Sequence, residues 1–139
     1  MNFRYDIQAL RGFAVLRIRL MGKKAIIISP PPSNGYDTSS CQERRETHKL
    51  SFGRNAQCKI SLSKAREQTA DVYEFLERLP KESNVNVVNL SDFLCRGDSC
   101  SVTLNNQIVY RDSGHLSYQG SIAIFNNYNL LEEIYKYAK

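Results

Sequence analysis

Residues 24–32, KAIIISPPP, place the strongest limit on what this chain can fold into. Three isoleucines run together with no polar alternation, which is the pattern of a short strand buried on both faces of a parallel sheet. Pro30, Pro31 and Pro32 cannot donate to a ladder, so the strand must stop there. A parallel partner requires a crossover, and the sequence supplies one. Residues 61–82, SLSKAREQTADVYEFLERLPKE, read as a single helix capped by Ser61 or Ser63. Leu62, Ala65, Thr69, Val72, Phe75, Leu76 and Leu79 recur at steps that make one packing face, and Pro80 is expected to end it. Residues 84–90, NVNVVNL, then read as a second strand. Strand, helix and strand form a βαβ unit, so the two strands should lie parallel.

Around this unit the signals are weaker. Residues 33–60 are polar and aperiodic and read as a long loop, which is uncommon unless functional or stapled. Residues 101–111, SVTLNNQIVYR, read as a hairpin whose turn residues Asn105 and Asn106 tolerate positive φ. From Ser117, a plausible cap, a terminal helix is expected with Phe125, Tyr128, Leu131, Ile134 and Tyr135 on its apolar face. A chain of 139 residues suits one domain.

The net charge is +5, from 19 Lys and Arg against 14 Asp and Glu, but the positive residues are scattered. Nucleic-acid binding wants a dense basic stripe with aromatics or a known module, and neither occurs. Cys41, Cys58, Cys95 and Cys100 lack the CxxC and His-pair spacing of a zinc site. Proximity pairs them as Cys41–Cys58 and Cys95–Cys100, which would imply an oxidising compartment; buried thiols are the alternative. The amino terminus, MNFRYDIQALRGFAVLRIRLMGKK, breaks its apolar run at RIRL. It offers neither a membrane span nor an export signal, in tension with bridged cysteines.

The residues that carry chemistry lie between 94 and 121, LCRGDSCSVTLNNQIVYRDSGHLSYQGS. Asp112 and His115 stand three apart in a loop before a helix. A carboxylate that accepts the imidazole Nδ1–H leaves Nε2 to take a proton from a hydroxyl. Ser99, between Asp98 and Cys100, is the nearby nucleophile by sequence. It sits at a turn into a hairpin, inside a ring closed by Cys95 and Cys100, and no helix follows to offer N–H groups. Arg96-Gly97-Asp98 spells an integrin-type tripeptide, a short match that arises by chance. His48 reads as an exposed loop histidine. No nucleotide, cofactor or metal motif occurs.

Together GKKAIIISPPPSNGYD with Cys41, LCRGDSC, IVYRD and DSGHLSYQGS resemble the carboxyl-terminal part of an SGNH hydrolase-like domain. More narrowly, they resemble the SGNH domain fused to membrane acyltransferases that O-acetylate bacterial surface polysaccharides. The resemblance implies an α/β fold: a partial three-layer, flavodoxin-like parallel sheet with a small hairpin and flanking helices. It implies acyl transfer by Ser-His-Asp chemistry from an acyl donor to a surface polysaccharide, with Asp112 as the orienting acid and His115 as the general base. No cofactor is expected, since no metal or nucleotide motif occurs. The opening MNFRYDIQALRGFAVL resembles the start of the same enzymes' membrane domain. The expectation is therefore a remnant of that amino terminus over 1–21, helix-like, joined to a partial SGNH domain over 22–139. The parent domain would be periplasmic; this chain, without a competent signal, would be cytoplasmic or of open location. In the family the nucleophilic GDS block lies upstream of the strand at residue 24, so GDS at 97–99 is in the wrong place. The expected outcome is a truncated remnant, inactive alone and with an exposed sheet edge open to a partner. The alternatives are a small esterase using Ser99, or a binding module completed by a partner fragment.

Overall fold

The computed structural model describes residues 16–18, 20–49, 58–83 and 85–138. The expected amino-terminal remnant falls mostly outside these; within it, residues 16–18 and 20 are helical. The chain is mixed α/β. Strand β1 (Ile26–Ile28) and strand β3 (Asn86–Val88) pair in parallel, Ile27 opposite Val87. This is the βαβ pairing expected from the sequence. Between them lie helix α1 (Thr38–Glu46), strand β2 (Ile60–Ser61), helix α2 (Leu62–Gln68) and helix α3 (Ala70–Ser83). After β3 come helix α4 (Leu90–Leu94), strands β4 (Cys95–Arg96) and β5 (Ser99–Cys100), a hairpin of β6 (Thr103–Leu104) and β7 (Gln107–Ile108), and helices α5 (Tyr118–Asn127) and α6 (Leu130–Ala138). Strand β5 pairs antiparallel with both β2 and β4. The core gathers Ile60, Ala65, Val88, Leu94, Val109, Tyr110, Ile124 and Leu130. Both bridges form, Cys41–Cys58 and Cys95–Cys100.

Five expectations need correction. Residues 33–60 are not all loop, because Asp37 caps α1: its carboxylate accepts the Ser40 N–H at 3.0 Å. Polar residues hide this helix from a periodicity argument, and the cap is its only local signal. The crossover is two helices rather than one. Thr69 turns its hydroxyl back to the Ala65 carbonyl at 2.8 Å and takes a non-helical conformation, ending α2, while its own carbonyl accepts the Val72 N–H and starts α3. Pro80 does not end α3 but lies within it; it forfeits one backbone bond and the helix runs on to Ser83. Strand β1 is not buried on both faces, since it pairs only with β3 among the described residues and Ile28 is 40% exposed. The terminal helix is broken at Asn129, whose φ of 47° is left-handed. That break resets the helical phase. Ala123, Ile124 and Leu130 are buried, while Phe125, Leu131 and Tyr135 of the expected face are exposed.

The hairpin turn is as read: Asn105 and Asn106 have φ of 48° and 60°, the paired positive values of a type I′ turn. Ser117 does cap α5, accepting the Gly120 N–H at 2.8 Å, and its hydroxyl proton goes to the Ile108 carbonyl. Ser117→Ala removes both bonds and should cost about 1–2 kcal/mol, read as a lowered urea midpoint with unchanged slope.

Candidate active site

Val109 and Tyr110 leave the hairpin fully buried and carry the chain to the surface. Tyr110 pairs with Leu116 across an isolated antiparallel bridge, and the Arg111 N–H donates to the His115 carbonyl at 2.8 Å. Residues 111–115 are thereby pinched into a closed loop. The loop is tied to the proline segment at two points. The buried Tyr110 hydroxyl donates to the Pro32 carbonyl at 2.8 Å, and burial pushes its pKa up, so it stays a neutral donor. Ser33 donates its hydroxyl to the Ser113 carbonyl. The proline segment after β1 is thus fastened to the loop that carries Asp112 and His115.

Inside the loop Asp112 does most of the organising. Its Oδ1 accepts the Gly114 and His115 backbone N–H groups, each at 2.9 Å, and contacts His115 Nδ1 at 2.8 Å. Its Oδ2 accepts from Arg111 Nε and Nη2, each at 3.2 Å. The Gly114 N–H first, then the His115 ring, hold the Asp112 carboxyl well below the usual carboxylate range. It is therefore ionised at neutral pH and can only accept, so the shared proton sits on His115 Nδ1. Nε2 then carries the lone pair, and it has no hydrogen-bond partner among the described residues. The ring is 71% exposed and the carboxylate 39%. Because the folded-state pKa is lowered, the dyad's contribution to stability is complete above the ordinary carboxylate pKa of about 3.9 and is lost as pH falls below it. A carbon-13 NMR titration should show Asp112 still ionised where exposed Glu carboxyls have protonated.

His115 and Arg111 open onto a cleft of about 580 Å³, walled by Ser29, Pro30, Leu90, Ile124 and Leu130 among others. Ser29 and Leu90 follow the carboxyl ends of the parallel pair, the usual position of a site in an open α/β sheet. Ser29 ties those ends together: its hydroxyl accepts the Leu90 N–H at 2.9 Å and donates to the Pro30 carbonyl at 3.1 Å.

Ser99 is elsewhere. It lies on β5 and lines a separate depression with Asp98, Arg96 and Lys64, which shares no lining residue with the cleft at His115. Asp98 in turn is engaged with α2, accepting the Ser63 N–H at 2.6 Å. His48 is exposed with φ of 55°, past the end of α1. Among the described residues no cluster of His, Cys, Asp and Glu could hold a metal.

A family model described as "SGNH domain (fused to AT3 domains)" matches residues 9–128. The chain belongs to this SGNH family. No curated protein and no solved structure matches it. The chain is thus an SGNH hydrolase-like domain of the acyltransferase-associated kind. No described helix is long and apolar enough to cross a membrane.

Two features of this SGNH domain were not singled out by residue type and spacing. Arg111 forks onto Asp112, and only its position beside the acid in IVYRD could have signalled that. Gly120 lies so close to the hairpin exit that a Cβ built on it would stand 2.3 Å from the Val109 carbonyl oxygen. The HLSYQG stretch therefore has a physical reading. Leu116 bridges Tyr110, Ser117 caps α5, and Gly120 lets that helix seat against Val109.

Proposed function

We propose that Asp112 and His115 are the orienting acid and general base of a Ser-His-Asp acyl-transfer site whose acceptor is a surface polysaccharide. In that site Nε2 of His115 takes the proton of a hydroxyl as its oxygen attacks the acyl carbonyl, and Asp112 stabilises the imidazolium that forms. The observation that carries this reading is the ionised carboxylate at 2.8 Å from Nδ1, on a ring that lines a cleft at the carboxyl end of the sheet. The two bridges, with no free cysteine among the described residues, support folding in an oxidising compartment, the periplasm for an enzyme of a bacterial surface.

The attacking hydroxyl is not one of the serines placed around the dyad. Ser29, Ser33 and Ser121 each give their proton to a backbone carbonyl, and Ser99 faces another depression. Without its nucleophile a triad loses about 10⁶ in turnover, so the described residues by themselves do not make an efficient catalyst. With p-nitrophenyl acetate it should release phenolate no faster than free imidazole does, and Ser99→Ala should change nothing. A fluorophosphonate probe should leave Ser99 unlabelled. Labelling of Ser99, or hydrolysis that vanishes in Ser99→Ala, would instead make this a small complete esterase.

One observation favours a further element in the reading. Beside the exposed Ile28, an apolar hollow of about 730 Å³ opens between β1 and the Val72, Phe75 and Leu76 side of α3. A strand added there, from a partner bearing the hydroxyl, would extend the sheet and cover this surface. Co-elution with an SGNH fragment that carries the nucleophile tests it, and an unchanged elution volume counts against it.

A further inference from the structure

We propose that the depression holding Ser99 binds a carboxylated glycan and seats the acceptor chain; this rests on the acyl-transfer reading above and names the class of acceptor. The depression measures about 430 Å³, and Lys59, Lys64 and Arg96 contribute three cations to its lining. None of the three makes a salt bridge among the described residues. Residues 50–57, next to Lys59 in sequence, contain no Asp or Glu that could neutralise them.

Among the described residues the only anion in the lining is Asp98, and each of its carboxylate oxygens already accepts a hydrogen bond. Oδ1 accepts the Ser63 N–H at 2.6 Å and Oδ2 accepts the Ser61 hydroxyl at 2.8 Å. These bonds, the Ser63 N–H first, hold the carboxyl below its usual range. Three cations against one anion leave a net +2 on the lining. Lys64 sits in the first turn of α2, where a positive charge opposes the helix dipole, so local helix stability does not account for it. Arg96 ends strand β4, just before a two-residue turn whose strands are stapled by Cys95–Cys100, which fixes the guanidinium's base. A guanidinium is suited to forking onto a carboxylate.

The neutral groups fit sugar hydroxyls. The Asn34 side-chain oxygen accepts the Tyr36 N–H at 3.2 Å, which leaves its amide hydrogens to donate outward. The Ser99 hydroxyl is exposed on β5. No aromatic among the described residues lines the depression, which gives the bases of a nucleic acid no described ring to stack on. The depression also adjoins the dyad loop. Asn34 lines it, and the preceding residue, Ser33, donates to the Ser113 carbonyl, one residue from Asp112. A chain seated on the cations crosses the 33–34 turn to reach His115.

The test is titration of the full chain with hexagalacturonate at low salt, followed by nitrogen-15 shifts. Expected are shifts at Asn34, Lys59, Lys64, Arg96 and Ser99. Binding should weaken about tenfold in Lys64→Gln/Arg96→Gln, whose side chains are exposed and free to change without unfolding. It should be lost in 0.5 M salt, as about a 4–5 Å screening length requires. Binding of the fully methyl-esterified hexamer as tightly as the acid would overturn the charge argument. Equal or tighter binding of a thymidine hexanucleotide would overturn the glycan assignment, and so would no binding of hexagalacturonate at all. The His115 ring tautomer, read from the same sample, reports on the catalytic reading separately, so the two can fail independently.

Discussion

Gly120→Ala is expected to destabilise the protein by about 2–3 kcal/mol. The added methyl would stand 2.3 Å from the Val109 carbonyl oxygen and 2.6 Å from its Cα. These are backbone atoms at the fully buried exit of the hairpin, so no side chain can rotate out of the way. Either α5 lifts from the hairpin or the hairpin bends, and overpacking of this kind costs about 1–3 kcal/mol or more. Against it stands the helix preference of Ala over Gly, up to about 1 kcal/mol. The strain reaches the site because Ser117 N–H donates to that same Val109 carbonyl at 2.8 Å, and Ser117 ends the loop that carries His115. Guanidinium unfolding followed by circular dichroism measures the loss. Gly114→Ala is the control: nothing lies within 4 Å of its added Cβ, so its midpoint should match the parent. Equal stability of the Gly120 variant would mean that α5 does not seat on Val109 as described.

Reduction of the two bridges should cost about 5 kcal/mol together, enough to bring a domain at the low end of ordinary stability to about half unfolded at 25 °C. Loop-closure entropy sets the scale. Cys41–Cys58 spans 17 residues and contributes about 3 kcal/mol; Cys95–Cys100 spans 5 and contributes about 2 kcal/mol. The larger effect falls on the long polar excursion. Its helix α1 buries little besides Thr38 and Cys41, so the bridge supplies what apolar packing does not. The paired variants Cys41→Ser/Cys58→Ser and Cys95→Ser/Cys100→Ser separate the two contributions by denaturant midpoint. A reduced protein with the oxidised midpoint would show that the bridges are dispensable.

The parts of the fold visible in the sequence are those with dense local signals. Isoleucines ended by prolines, a second β-branched run and a helix between them specify a parallel pair, and the pair forms in register. Asn105 and Asn106 disclose a turn, and Ser117 a cap, because each residue type solves one backbone problem. What stayed hidden depended on single hydrogen bonds. Thr69 divides one amphipathic run in two through its hydroxyl, and the periodicity passes straight across that break. Asn129 shifts the phase of the last helix, so of the face counted from Phe125 only Tyr128 and Ile134 pack against the core, while Leu131 and Tyr135 point to solvent.

The site divides the same way. Asp112 and His115 are legible as a pair because three-residue spacing lets the side chains meet. The supports around them come from far along the chain: Pro32 and Ser33 lie about 80 residues before Tyr110 and Ser113, and no local pattern joins them. Ser99 has the right neighbours in sequence for a nucleophile, and β5 carries it to a different surface.

The account turns on which nitrogen of His115 carries the proton. The chain has two histidines, so long-range proton–nitrogen-15 correlation spectra of the rings assign both without ambiguity. At a pH where both rings are neutral, His115 should be the Nδ1–H tautomer with an unprotonated Nε2, unlike the exposed His48, and Asp112→Ala should abolish the difference. A His115 ring protonated on Nε2, or averaging between tautomers, would contradict the account.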